Sequence, residues 1–198
     1  MLEVSRLNLA AKVSNFRQRD RFFDTTKTGA TAPVFYCLLR YHPRLMKYQA
    51  ILASPFAMLA VRCSDVALQG LDFLPLSAAP QAATNEIAET VCAQLRDYLH
   101  NPDTVFDVPL APHGTTHQQK VWRALLAIPR GATRQYGELA KELASAAQAV
   151  GQACGANPIA LIIPCHRVVS KTGLGGFMRH AEGDELNIKR WLLKHEQR

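Results

Sequence analysis

Two side chains able to carry out a group transfer stand next to each other at Cys165 and His166, inside the run Ile162-Ile163-Pro164-Cys165-His166-Arg167-Val168-Val169. A thiol is nucleophilic only as the thiolate, and a free cysteine titrates near pH ~8.5, so an adjacent imidazole or guanidinium favours the reactive form. The apolar run Ile159 to Ile163 has the length and branching of a short buried strand. Pro164 cannot continue a central strand, so the sequence predicts Cys165 at the end of a rigid element. The bland alternative is an inert core cysteine beside a surface histidine, since buried cysteines are usually packing residues.

The elements expected to position this pair lie on both sides of it. Asn85 to Leu99 has the apolar spacing of an amphipathic helix through Ile87, Val91, Leu95 and Tyr98, with Asn85 as N-cap. Before it, Tyr48–Leu52, Met58–Cys63 and Val66–Phe73 read as three short strands. After it, Thr116 followed by Gln119 reads as a capping box opening a helix with Val121, Trp122, Leu125 and Ile128 inward. Two short helices follow, Tyr136 to Leu143 and a second capped by Ser145, a spacing compatible with a helix-turn-helix. The second is built almost wholly of small residues, which suits close packing in a core or against a narrow groove. A last helix, Asp184 to about His195, presents Ile188, Trp191, Leu192 and His195 on one face and ends at Glu196. A carboxylate there opposes the helix dipole and calls for a cationic or hydrogen-bonding partner; otherwise it is a solvated tail.

Charge is distributed unevenly. Residues 1–46 carry eight Lys/Arg against three Asp/Glu, residues 47–110 three against seven, and residues 111–198 twelve against six, for a net +7. A basic C-terminal part suits a polyanion, although a solvated basic surface has the same composition. Five scattered cysteines without Cys-x-x-Cys spacing indicate neither a disulfide framework nor a zinc ribbon, and no metal is expected from Cys37, His42, Cys63 and Cys92. Met1 to Arg21 does not read as a secretory signal, no span is apolar enough for a bilayer, and a reduced cytoplasm is the expected compartment.

The string Pro164-Cys165-His166-Arg167-Val168-Val169 resembles the active-site signature of the O6-alkylguanine-DNA alkyltransferases. The resemblance extends through His113-Gly114-Thr115, Gln118 to Trp122, Ile128-Pro129-Arg130-Gly131, Tyr136 to Ala140, Ala149-Val150-Gly151, Asn157-Pro158, Trp191-Leu192-Leu193 and His195-Glu196. It is dense from about residue 111 onward, loose from Tyr48 to Pro109, and absent from the first forty-odd residues. It implies an α/β (α+β) fold, with a small sheet-plus-helix domain at 47–109 and a mostly helical DNA-binding and alkyl-transfer domain at 110–198. Residues 1–46 are read as an extension of unknown role, partly disordered, with Val34–Leu39 a possible strand.

The resemblance also implies roles. Cys165 would accept an alkyl group from O6 of a guanine flipped out of duplex DNA, His166 would act as base, and Glu196 would orient it. Tyr136 would aid flipping and protonate the departing base; Asn157 would tie the recognition helix to the reactive loop. Ala147 and Ala149 would enter the minor groove, with Gln148 where the family carries Arg, and Arg134 or Lys141 as compensating cations. Arg167, the Val168 carbonyl and Phe177 of the loop Thr172–Phe177 complete the expected substrate and DNA contacts. Met178-Arg179-His180 replace the usual small residues after it. No motif for a methyl donor, nucleotide or other cofactor is present, so the implied reaction is a single turnover by a monomer on double-stranded DNA. Three rivals stay open: a non-enzymatic lesion sensor, a helix-turn-helix regulator with an incidental Cys-His pair, and a cysteine hydrolase.

Overall fold

The computed structural model describes residues 48–180 and 183–197. The expectations for the extension at 1–46, for Val34–Leu39, and for Cys37 and His42 lie outside these residues.

Three strands form an antiparallel meander: β1 (Ala50–Ala53), β2 (Met58–Cys63) and β3 (Leu68–Leu74), in the order β1-β2-β3. Ala50 pairs with Val61 and Met58 with Leu74, and the register shifts at Arg62/Cys63, where a bulge turns the strand. The central strand β2 is buried at five of its six positions, having a neighbour on either side. On the sheet lies α1 (Glu86–His100), whose Ala88, Val91, Cys92, Leu95 and Tyr98 are buried. Asn85 caps it as expected, its side chain accepting from the Ala88 N–H at 2.9 Å.

β3 is also where the sheet meets the rest of the chain. The Leu68 N–H donates to the Pro109 carbonyl and the Leu71 N–H to the Pro158 carbonyl, both at 2.8 Å. Beyond come α2 (Thr116–Leu126), α3 (Tyr136–Glu142), α4 (Ala147–Gly155) and α5 (Asp184–His195). The indole N–H of Trp122 donates to the Ala153 carbonyl at 2.9 Å, which pins α4 against α2.

Three local expectations are corrected. The capping box of α2 uses Thr115 and Gln118, one residue earlier than the sequence pattern: Gln118 N–H donates to Thr115 Oγ1 at 3.2 Å, and Thr115 N–H to Gln118 Oε1 at 2.8 Å. Ser145 does not cap α4; Ala146 holds the N-cap position without a side-chain bond. The apolar run 159–163 is not a strand. The Asn157 side chain accepts from Ile159 N–H at 3.0 Å and donates to the Ile163 carbonyl at 2.8 Å, and the chain folds back through Leu161 at φ 81°. One polar side chain thereby satisfies backbone groups that a strand would have paired along a ladder.

Candidate active site

Pro164 ends this folded loop and directly precedes a single 3-10 turn, Cys165–Arg167. The chain then enters β5 (Val168–Val169), which pairs in parallel with β4 (Arg134–Gln135). That two-residue ladder joins the thiol's segment to the residues immediately before Tyr136. It explains how Tyr136, twenty-nine positions away in the chain, faces the same cavity as Cys165. The cavity measures about 260 Å³, and its walls include Tyr136, Gly151, Cys154, Cys165, Phe177 and Arg179.

Cys165 is 3% exposed, and burial pushes its thiol above the usual range, against a hydrogen bond from Asn157 and the charge of Lys189. At rest it therefore keeps its proton and needs a base to react. His166 is fully buried, which lowers its pKa from the ordinary value despite the opposing carboxylate of Glu196. The ring is thus neutral near pH 7. Its Nε2 lies 2.9 Å from Glu196 Oε1, so with the carboxylate ionised Nε2 carries the proton and buried Nδ1 presents the lone pair.

Glu196 is no solvated tail. It is 2% exposed and accepts from His166 Nε2, from the Tyr98 hydroxyl at 2.8 Å, and from Arg167 Nη2 and Nε at 2.8 and 2.9 Å. Burial alone would raise its pKa; the His166 and Arg167 hydrogen bonds outweigh burial and hold the carboxyl well below the usual carboxylate range. Arg167, expected among the substrate and DNA contacts, is also held by partners inside the protein. Its guanidinium is committed to Glu196 and, through Nη1, to the Ile128 carbonyl at 2.6 Å. A charged group buried against a carboxylate is held there by the desolvation cost of leaving the carboxylate alone.

Other expected residues are located as follows. Ala147 and Gln148 are exposed on α4 and Ala149 is half-buried. The Tyr136 hydroxyl donates to the Gly176 carbonyl at 3.3 Å, and burial raises its pKa. Phe177 is buried edge-on against Phe73, with ring centroids 6.5 Å apart. Arg134, offered as a compensating cation, is instead paired with Glu142 through Nη1 at 2.5 Å. Lys141 lines a second, open groove together with Lys171 and Ala147.

Sequence reasoning read Tyr98 only as part of the apolar face of α1, and missed two further residues. Lys189 is fully buried and donates to the carbonyls of Val168 (2.6 Å), Leu174 (2.7 Å) and Gly176 (3.0 Å). Burial lowers its pKa to about 8. One ammonium thus fastens the loop over the cavity to the strand that follows Cys165. Its place on the inward stripe of α5, one residue after Ile188, was the available signal. The second is Cys154: no second thiol adjoins Cys165 in sequence, yet Cys154 lines the same cavity, its pKa pushed up to about 12 by burial.

A buried thiol followed by a neutral imidazole on an ionised carboxylate, beside two short helices, defines a thiol-centred reactive site. Residues 116–198 match the family described as 6-O-methylguanine DNA methyltransferase, DNA binding domain. The methylated-DNA–protein-cysteine methyltransferase of Methanosarcina acetivorans is 39% identical over 157 residues, covering 75% of this chain and 97% of that protein. The Mycobacterium tuberculosis protein of the same name is 50% identical over 107 residues, covering 52% of this chain and only 62% of its own length. A crystal structure of the M. tuberculosis O6-methylguanine methyltransferase superposes with a TM-score of 0.65 at 37% identity, covering 76% of this chain and 93% of that one. A structure of the M. tuberculosis protein in complex with DNA superposes with a TM-score of 0.63. The chain belongs to the methylated-DNA–protein-cysteine methyltransferase family.

Proposed function

We propose that this protein repairs DNA by moving an alkyl group from O6 of guanine to the sulfur of Cys165, consuming itself in one turnover. The observation that carries the proposal is the thiol in the wall of a cavity, followed directly by the His166 imidazole hydrogen-bonded to the Glu196 carboxylate. The O6–carbon bond breaks and a sulfur–carbon bond forms. The thiol proton passes to His166 Nδ1, directly or through a water, and the departing guanine gains a proton from the Tyr136 hydroxyl, which recovers it from solvent or from His166. Glu196 stabilises the imidazolium as it forms. The product is a neutral thioether, and losing the alkyl group again would require expelling the cysteine thiolate, so the product is stable.

A base stacked in a duplex cannot reach a buried thiol, so the nucleotide is extruded into the cavity at a cost of a few kcal/mol. Ala147 and Ala149 lie in the minor groove, and Gln148 fills the vacated stack. Asn157 holds the reactive loop, Phe177 covers the base, and the Val168 carbonyl, oriented by Lys189, accepts from the guanine amino group. In this reading residues 47–109 are a supporting domain, and residues 110–198 bind DNA and carry the reaction. The protein acts as a monomer without a cofactor. A reducing, cytoplasmic compartment fits a reaction that needs a free thiol, and no described helix is long and apolar enough to cross a membrane.

The test is incubation with a duplex containing O6-methylguanine, followed by intact-protein mass. One methylene unit is gained per chain, and none in Cys165→Ala. Binding without mass gain, or repeated turnover of an ester or amide, would replace this reading with a sensor or a hydrolase.

A further inference from the structure

The loop over the cavity carries a feature that the transfer chemistry does not use. Phe177 and His180 close a hairpin, exchanging backbone hydrogen bonds of 2.9 and 2.8 Å. Its two central residues, Met178 and Arg179, have φ of 49° and 70°. A two-residue turn with both central residues left-handed is the type I′ geometry, which Asn and Gly adopt at little cost and long side chains do not. Small residues are what the family resemblance leads one to expect here, so strain is accepted to put long side chains at the cavity mouth.

Arg179 is exposed, lines that mouth, and is anchored rather than loose. Its Nε donates to the Gly155 carbonyl at the end of α4 (3.2 Å), and its Cγ lies 3.0 Å from where a Cβ on Gly155 would be. The last carbonyls of a helix favour a cation. No Asp or Glu among the described residues pairs with it. When a base enters the cavity its sugar and flanking phosphates stay outside, at the rim, because extrusion rotates the nucleotide about its backbone. Gln148 brings no charge to that region; Arg134 is paired with Glu142, and Lys141 and Lys171 line the second groove rather than this mouth.

We infer that Arg179 is a phosphate-binding residue that grips the backbone beside the extruded nucleotide, supplying from the loop the charge that α4 lacks. This rests on the proposed function. A guanidinium held by its stem presents its Nη edge to a phosphodiester with little further ordering.

The test measures affinity for an O6-methylguanine duplex over a salt series, in a Cys165→Ser background that blocks transfer. Arg179→Gln weakens binding and lowers the slope of log affinity against log salt by about 0.9, the loss of one phosphate contact. Arg179→Lys, which keeps the charge, retains the slope. An unchanged slope in Arg179→Gln overturns the inference, as does an equal fall in Arg179→Lys, which would trace the loss to a disturbed turn. Intact-protein mass on the unvaried chain, run in parallel, separates this from failure of the alkyl-transfer reading itself.

Discussion

The sheet half of this chain, among the described residues, buries apolar side chains alone, whereas the reaction half adds charged and polar side chains to its apolar core. In the described part before α2 the buried residues are apolar: Leu59, Val61, Leu68, Val91 and Leu95 fill the interface between sheet and α1, and the pair Arg62–Asp72 stays about 30% exposed. Among the described residues, the four buried charged or polar ones, His166, Lys189, His195 and Glu196, lie in the last third of the chain. The first arrangement follows from area removed from water; the second is tolerated only because each ion has partners. The two meet at Tyr98, whose ring belongs to the apolar half while its hydroxyl donates to Glu196 and its carbonyl faces His195 Nε2 at 2.7 Å. The sheet half is thereby part of the support of the reactive carboxylate.

That contrast makes measurable predictions. The largest effect is expected for Glu196→Ala, which strips buried His166, the Tyr98 hydroxyl and the mostly buried Arg167 guanidinium of their shared partner and costs about 3–5 kcal/mol. Asp72→Ala breaks a half-exposed pair and costs under about 1 kcal/mol. Denaturant unfolding of both variants checks this, and similar losses would erase the distinction between the halves.

Stability and reactivity should separate next. Leu95→Ala opens a cavity in the apolar half and costs about 2–5 kcal/mol, without changing the alkyl-transfer rate of the folded molecules. Lys189→Met removes a donor from three carbonyls, the Val168 one buried, costing about 1–3 kcal/mol, and slows transfer by about 10–100-fold because the loop and the Val168 carbonyl lose their common donor. Single-turnover kinetics under native conditions decide it. A normal rate in Lys189→Met would make that residue purely structural.

The smallest effect is the pH dependence. His166 is held below its ordinary pKa, near 6.5. As pH falls below that value the unfolded chain takes up a proton that the folded chain refuses, so stability declines. Glu196, held low, contributes stability that is fully present above about pH 4.5 and is lost as pH falls further. Unfolding free energy should fall from pH 6.5 downward, and His166→Asn should flatten the portion above pH 4.5. An unchanged profile in that variant would assign the acid sensitivity elsewhere.

Local patterns in the sequence determined a good deal of this protein. Apolar spacing located α1, α2 and α5, the cap at Asn85 and the three strands, because these depend on periodicity and on a few backbone groups near in sequence. The reactive run named Cys165 and His166, and the end of α5 named Glu196 as a carboxylate needing a partner. Tertiary structure decided what those residues touch. It turned the apolar run 159–163 into a loop through Asn157, committed Arg167 to Glu196, brought Cys154 and Tyr98 to the site, and buried Lys189 beneath three carbonyls. Each of these depends on groups distant in the chain whose desolvation is offset only by partners that folding supplies, and a one-dimensional pattern does not contain those pairings.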